Sequence, residues 1–397
     1  MGAEIDPAAL AAADWPKREG LAALSRALGQ DDIRWVGGAI RDTLLDLPVA
    51  DVDCATTLLP DAVIDRCRES GIRTVPTGID HGTVTAILDD GPVEITTLRH
   101  DVSTDGRRAT IAFANDWQED AARRDFTINA LYAHPATLEI FDYFGGLDDL
   151  RARRVRFIGD ARERIREDHL RILRYYRFQA RFGADLDQEA EEACAELAQT
   201  LKGLSRERVA SELLAILGLP NPSETVSRMR ERGVLEVVLP ETCKTFVGSL
   251  SALISAEIEQ GFAPDSIRRL AALLPPMPEV AGEVAARLRL SKAQRARLTC
   301  AAERNEDDSR EPKALAYREG RECAVDRILL QGGDARFLDG WNIPQFPLKG
   351  GVIVARGVSA GPEVARIMRT VEARWIDEGF PSEERVAELL EAELAKR

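Results

Sequence analysis

Histidine is scarce: His81, His100, His134 and His169 are the only four in 397 residues. A His-Asp metallohydrolase, which His100-Asp101 alone would suggest, needs more imidazole ligands than that. The six cysteines, at 54, 67, 194, 243, 300 and 323, never fall in a Cys-x-x-Cys pair. Such scatter speaks against a disulfide framework and a structural zinc site, and it fits a reducing, cytoplasmic setting. No stretch approaches the roughly eighteen uninterrupted apolar residues of a membrane span. The Ala-rich start carries Asp6, Asp14 and Glu19 and lacks a basic leader, so export is not expected either. Net positive charge is missing too. A formal charge of −14 weighs against a polyanionic partner, because phosphate contacts supply much of nucleic-acid affinity.

The distribution of charge matters more than its sum. Between Arg151 and Arg181 there are eleven arginines against Asp160, Glu163, Glu167 and Asp168, a local excess of seven positive charges. That belt is either an RNA-binding surface on an acidic protein or a salt-bridged helical face. With 45% hydrophobic residues over 397 positions, the chain has material for two to four structural units at roughly 100–200 residues each.

After a leading helix over residues 1–29, short apolar runs alternate with helical stretches. Ile33–Val36, Val52–Ala55, Ile72–Val75, Val84–Leu88 and Val93–Thr97 read as strands, with a helix over Asp61–Glu69, which makes a small mixed sheet with helices. The first strand runs into Gly37-Gly38 and then a helix carrying Arg41. A strand, a glycine turn and a helix start expose backbone N–H groups to an anion, and Arg41 adds charged donors. Downstream, Asp51 and Asp53 at i and i+2 leave one face of a strand and can share divalent metal ions. Phosphate and metal sites within about twenty residues of each other point to a nucleotide. In Val93-Glu94-Ile95 the alternation sets Glu94 opposite its apolar neighbours, as a solvated face or as a third carboxylate.

Residues 99–118, with Thr104-Asp105-Gly106-Arg107-Arg108, read as a mobile loop beside this site. In Arg123-Arg124-Asp125-Phe126-Thr127-Ile128-Asn129-Ala130-Leu131 the apolar spacing suits the core face of a helix. The arginines and Asp125 would then lie at its first turn, where positive charge opposes the dipole unless an anion binds. Leu138–Phe141 and Val155–Ile158 read as further strands, and from Asp160 the chain is helical to its end. There Arg171, Arg174, Arg177 and Arg181 recur along one side of a helix. Asp168 and Arg171, three apart, either meet a nucleobase edge as acceptor and donor or form an ordinary ion pair.

The succession Gly-Gly-x-x-Arg-Asp, Asp-x-Asp, Val-Glu-Ile-Thr-Thr-Leu-Arg, Arg-Arg-Asp-Phe-Thr-Ile-Asn-Ala-Leu, Phe-Asp-Tyr-Phe-Gly-Gly, Glu-Asp-x-x-Arg-x-x-Arg and Arg-Glu-Arg-Val-x-x-Glu-Leu, over residues 33–217, resembles the class II tRNA nucleotidyltransferases. These CCA-adding enzymes share a polymerase-β-like head with bacterial poly(A) polymerases. The resemblance implies an α+β protein: a nucleotidyltransferase head with a small mixed sheet over residues 1–150, then an all-α neck (151–218), body (219–300) and tail (301–397). It implies that Asp51 and Asp53 bind two Mg2+, that Glu94 helps orient them or the attacking group, and that Gly37, Gly38 and Arg41 hold the triphosphate. Arg124 and Asp125 match the ribose-reading motif, Asp168 and Arg171 the amino-acid template, and Arg174 and Arg177 its further nucleotide contacts. Arg206–Leu213 matches the helix that props that template.

The implied activity is addition of C, C and A to the tRNA 3′ end from CTP and ATP, with release of pyrophosphate, in the cytoplasm and without a membrane. Three alternatives stand beside it: a poly(A) polymerase, an enzyme adding only CC or only A, and an RNA-binding protein without catalysis. The acidic end, Glu383–Arg397, favours CCA addition over a poly(A) polymerase with a basic tail, and the intact Asp51 and Asp53 oppose a non-catalytic role. Arg287, Arg289, Lys292, Arg295 and Arg297 form a second basic cluster, either a binding surface or a charged helix face. Pro275-Pro276 and Asn342-Ile343-Pro344 read as breaks between helical units.

Overall fold

A computed structural model describes residues 5–104, 109–182, 186–242 and 244–396. The chain divides into two compact units, Met1–Pro240 and Glu241–Arg397. In the first unit, strands β1 (Ile33–Val36), β2 (Asp53–Thr56), β3 (Arg73–Gly78), β4 (Thr83–Leu88), β5 (Gly91–Thr97), β8 (Leu131–Ala133) and β9 (Ile140–Asp142) form one sheet in the order β3-β4-β5-β2-β1-β8-β9. The neighbours are antiparallel except β2 and β5, which run parallel. A crossover through the Pro60–Glu69 helix and the β3–β4 hairpin makes that parallel pairing possible. Val36, Ala55, Leu98, Tyr132 and Ile158 belong to one buried cluster that holds the site end of the sheet.

Several expectations need correction. The segment read as a loop over 99–118 is a two-stranded hairpin, β6 (Arg99–Thr104) with β7 (Ala109–Phe113), paired from Arg99↔Phe113 to Thr104↔Ala109. Its tip, residues 105–108, lies outside the described residues. β6 is polar except for Val102 and β7 is apolar except for Thr110, so neither strand carries a period-two signal. The helix expected over Arg123–Leu131 is absent: a 3-10 turn spans Thr127–Asn129 and Leu131 opens β8. The strand expected at Val155–Ile158 reduces to one bridge, Phe126↔Phe157. Both departures have one cause, since Thr127 N–H donates to Arg156 O at 3.1 Å and Ile158 N–H to Asp125 O at 3.2 Å. Partners thirty residues apart claim the backbone groups that a local helix would have used.

From Ala161 the described regular elements are helices, as expected, and both proline-marked breaks fall between helices. In the second unit the helices Lys292–Ala302 and Arg321–Leu330 bring Cys300 and Cys323 to a Cα–Cα distance of 6.1 Å, and the two form a disulfide. This corrects the expectation from cysteine spacing, because 23 residues separate the pair along the chain and only helix packing joins them. Cys54, Cys67 and Cys194 are free and buried. A separate core around Ile353, Ile367, Val371, Trp375 and Leu390 closes the chain's last helices. Among the described residues no helix is long and apolar enough to cross a membrane.

Candidate active site

Strand register assembles the acidic end of the site. Val36, the last residue of β1, stands opposite Asp53, the first of β2. Gly37 follows at φ 75° and ψ −118°, a conformation that a side chain strongly disfavours. Its N–H donates to Leu131 O at 3.0 Å, which ties the glycine turn to β8. On the other side of β2, Asp53 stands opposite Glu94 of the parallel strand β5. Both are exposed, whereas Val52, Cys54, Val93 and Ile95 are buried. The pleat therefore sends Asp53 and Glu94 to the same face as neighbours, as a third carboxylate beside the aspartates would require. Asp51 precedes β2 instead of lying in it, yet the exposed-buried-exposed alternation already holds from 51 to 53.

The electrostatics agree with this geometry. Asp53 is held above the ordinary carboxylate range, by desolvation first and then by the charge of Glu94, with Arg124 pulling the other way and Asp51 adding to the rise. Carboxylates that destabilise each other's ionised form make a donor set suited to hard divalent cations, which take oxygen ligands and cancel that repulsion. Asp51, Asp53 and Glu94 fit such a group.

Behind the glycine turn, Arg41 is almost fully buried. Its Nε and Nη2 each reach Asp42 Oδ1 at 2.8 Å, and Nη1 donates to Asn129 Oδ1. The guanidinium also lies over the rings of Phe178 and Phe182, 5.2 and 5.0 Å from their centroids. Arg124, expected at a helix start with an unfavourable dipole, instead follows the Trp117–Ala122 helix. There it pairs with buried Asp120 at 3.3 Å and donates through Nε to Tyr132 OH at 3.0 Å. Asp125 takes Arg174 at 2.6 Å and Asn129 Nδ2 at 3.0 Å. Burial alone would raise its pKa, but Arg174 and these hydrogen bonds outweigh that and bring it down to about 2.

Asp168 and Arg171 are not an ion pair with each other. Asp168 ends the Ala161–Glu167 helix in extended conformation, and Arg171 opens the Arg171–Phe182 helix. Arg208, from the Arg206–Leu217 helix, donates to Asp168 Oδ2 at 2.8 Å. Arg171 turns to Glu167 at 2.6 Å and to Arg123 O at 2.8 Å. Arg177 is held by Glu212 at 2.6 Å. The arginine belt is thus largely paired within the chain: of its eleven members, Arg151, Arg154, Arg156, Arg162, Arg164, Arg171, Arg174, Arg177 and Arg181 all hold acidic partners. In the second basic cluster Arg287 pairs with Glu241 and Arg297 with Asp265 and Asp326, so these two members serve internal contacts.

Two families match the first unit and its edge: the Poly A polymerase head domain over residues 33–156, and the probable RNA and SrmB-binding site of polymerase A over residues 183–245. Over the whole chain, the mouse mitochondrial CCA tRNA nucleotidyltransferase 1 is 36% identical across 392 aligned positions, covering 92% of this chain and 88% of that protein. The chain belongs to the CCA-adding tRNA nucleotidyltransferases. The CCA-adding enzyme of Streptococcus uberis is 42% identical over 189 residues, 47% of this chain and 46% of that one. Among solved structures, the Bacillus stearothermophilus CCA-adding enzyme in complex with CTP superposes with a TM-score of 0.76 at 26% identity, over 97% of this chain and 99% of that one. The Thermotoga maritima CCA-adding enzyme complexed with tRNA_CCA shares the fold, with a TM-score of 0.74 at 21% identity and 99% coverage of each chain.

Within this family's architecture, sequence reasoning missed the interior partners. Asp42 grips Arg41, Asp120 takes Arg123 and Arg124, Tyr132 bonds both Arg124 and Asp120, and Asn129 bridges Arg41 to Asp125, so four buried polar residues tie these arginines into the interior. Asp42 and Asn129 lie inside two of the quoted motifs, so the available signal was their position in those motifs.

Proposed function

We propose that this protein adds C, C and A to the 3′ end of tRNA, taking the nucleotides from CTP and ATP and releasing pyrophosphate. The observation that carries the reading is the register pair Asp53↔Glu94 directly beside the Gly37 turn, where an acidic face that would take metal meets a turn that would take phosphate. Asp51 and Asp53, with Glu94 beside them, would hold Mg2+, which lowers the pKa of the attacking 3′-hydroxyl and stabilises the leaving pyrophosphate. The backbone of Gly37 and Gly38, with Arg41 behind them, would orient the triphosphate, and Arg124 with Asp125 the ribose. Asp168 and Arg171 would read the base edge, with Arg174 and Arg177 alongside. Since these donors are pinned by Glu167, Asp125 and Glu212, little reorganisation is needed when a nucleotide enters.

The functional segments in this reading are the head over 1–150, the neck over 151–218, the body over 219–300 and the tail over 301–397, with the helical part gripping tRNA by shape and phosphate contacts. Cytoplasmic action belongs to the same reading and would be checked by fractionating cells that express the tagged chain. The decisive assay offers purified protein tRNA transcripts ending at the discriminator base, C or CC, with CTP and ATP separately and together. Completion to CCA supports the reading. Homopolymeric A tails would replace it by a poly(A) polymerase, extension by CC alone or A alone by a partial enzyme, and binding without extension by a non-catalytic protein.

A further inference from the structure

Asn129 is almost fully buried, and its amide spans two charged groups. Its Oδ1 accepts from Arg41 Nη1, and its Nδ2 donates to Asp125 Oδ1 at 3.0 Å. We propose that Asn129 is a positioning residue that fixes the spacing between Arg41, behind the glycine turn, and Asp125, in front of the arginine helix, so that the phosphate and sugar ends of one nucleotide are held in register. This rests on the nucleotide site proposed above and names a member of it that contacts no substrate.

An amide carries an acceptor and a donor on one rigid plane, so it satisfies a cation on one side and a carboxylate on the other without adding charge to the interior. The neighbours leave it one orientation, because turning it over would set NH2 against a guanidinium and oxygen against a carboxylate.

Each neighbour is fixed from its far side as well. Arg41 is gripped by Asp42, whose other oxygen takes Arg181 Nη2 at 2.9 Å. Asp125 gives its other oxygen to Arg174 Nε at 2.7 Å. Arg181 and Arg174 both belong to the Arg171–Phe182 helix, so the run Arg181, Asp42, Arg41, Asn129, Asp125, Arg174 leaves that helix and returns to it. Asn129 is its one neutral member. The main chain of Asn129 also borders the glycine turn: a Cβ added to Gly37 would come within 3.5 Å of Asn129 O. A buried network with one member missing leaves its neighbours under-satisfied and free to shift.

The test uses the full chain with Asn129→Ala and Asn129→Asp; the latter keeps shape and acceptor but sets a second carboxylate against Asp125. Initial rates with CTP and with dCTP are measured on one tRNA transcript ending at the discriminator base, alongside filter binding of that transcript and thermal denaturation. Efficiency with CTP should fall about tenfold or more, as loss of a buried hydrogen bond to a charged group implies. Efficiency with dCTP should fall less, so the CTP:dCTP preference drops while tRNA affinity holds. Where Asn129→Ala does not fold, Asn129→Asp carries the comparison. Equal losses for the two nucleotides, or an unchanged preference in an active protein, would overturn the inference and leave the proposed function standing. A wild type that adds no nucleotide would overturn both.

Discussion

Asp168 accepts a hydrogen bond from Arg208 at 2.8 Å, across forty residues of chain, while Arg171 turns away to Glu167. Two residues that looked like an i,i+3 pair therefore have separate anchors, and their polar edges are not spent on each other. If they read a base, replacing both with alanine should lower the CTP:UTP efficiency ratio at about 1–3 kcal/mol for each good pairing. The measurement is that ratio on one tRNA ending at the discriminator base. An unchanged ratio, even with reduced activity, would remove the template role.

Arg208→Ala should act in the same direction from a distance. Without it Asp168 keeps its bond to Leu170 N–H but loses its charged partner. CTP:UTP selectivity should fall, and Asp168→Ala should add little once Arg208 is gone. Full additivity in that double-mutant cycle would argue against coupling.

In the proposed reading Asp53 joins metal binding to stability. Its folded pKa is raised, so the stability it contributes is full below the unfolded value, about 3.9 for an aspartate, and is lost as pH rises through the folded one. At neutral pH without divalent ions, Asp53→Asn should therefore melt no lower than wild type, and above it if repulsion with Glu94 dominates. Added Mg2+ should raise the melting temperature of wild type only, and nucleotide addition by the variant, or by Asp51→Ala, should vanish while tRNA binding survives. An equal Mg2+ shift in both proteins would move the metal elsewhere.

Asp125 carries the opposite sign. Its pKa is brought down to about 2, so the stability it contributes is present above the unfolded value and lost as pH falls through the folded one. Asp125→Asn should lower the unfolding free energy at pH 7 by about 2–4 kcal/mol, for a pair broken beside a partly exposed arginine. The difference from wild type should shrink between about pH 4 and pH 2. A constant difference across that range would mean that the carboxylate is not what stabilises the fold.

Salt should expose how much of the arginine belt is free for RNA. Because nine of its eleven arginines already hold acidic partners, the slope of log affinity against log salt should be well below that of eleven phosphate contacts at about 0.9 each. A slope near the full value would show that tRNA displaces these carboxylates; a flat one would place RNA elsewhere.

By itself the sequence determined the elements whose signals are local. The first five strands, the Pro60–Glu69 helix, the glycine turn with its acidic follower, and the helical character after Ala161 all follow from periodicity and glycine placement, which are set by neighbouring residues. Only the tertiary structure decided the rest. Whether Glu94 faces Asp53 depends on the parallel register of β2 and β5, which strand-by-strand reading cannot supply. The turn at Thr127–Asn129 replaces a helix because Arg156 O and Ile158 N–H, far along the chain, take its backbone groups. The Cys300–Cys323 disulfide exists because two helices pack together, with nothing in the cysteine spacing to announce it. In each case a long-range contact outweighs a local preference, since a buried hydrogen bond or a fixed register is worth more than the few tenths of a kcal/mol, roughly, that separate local propensities.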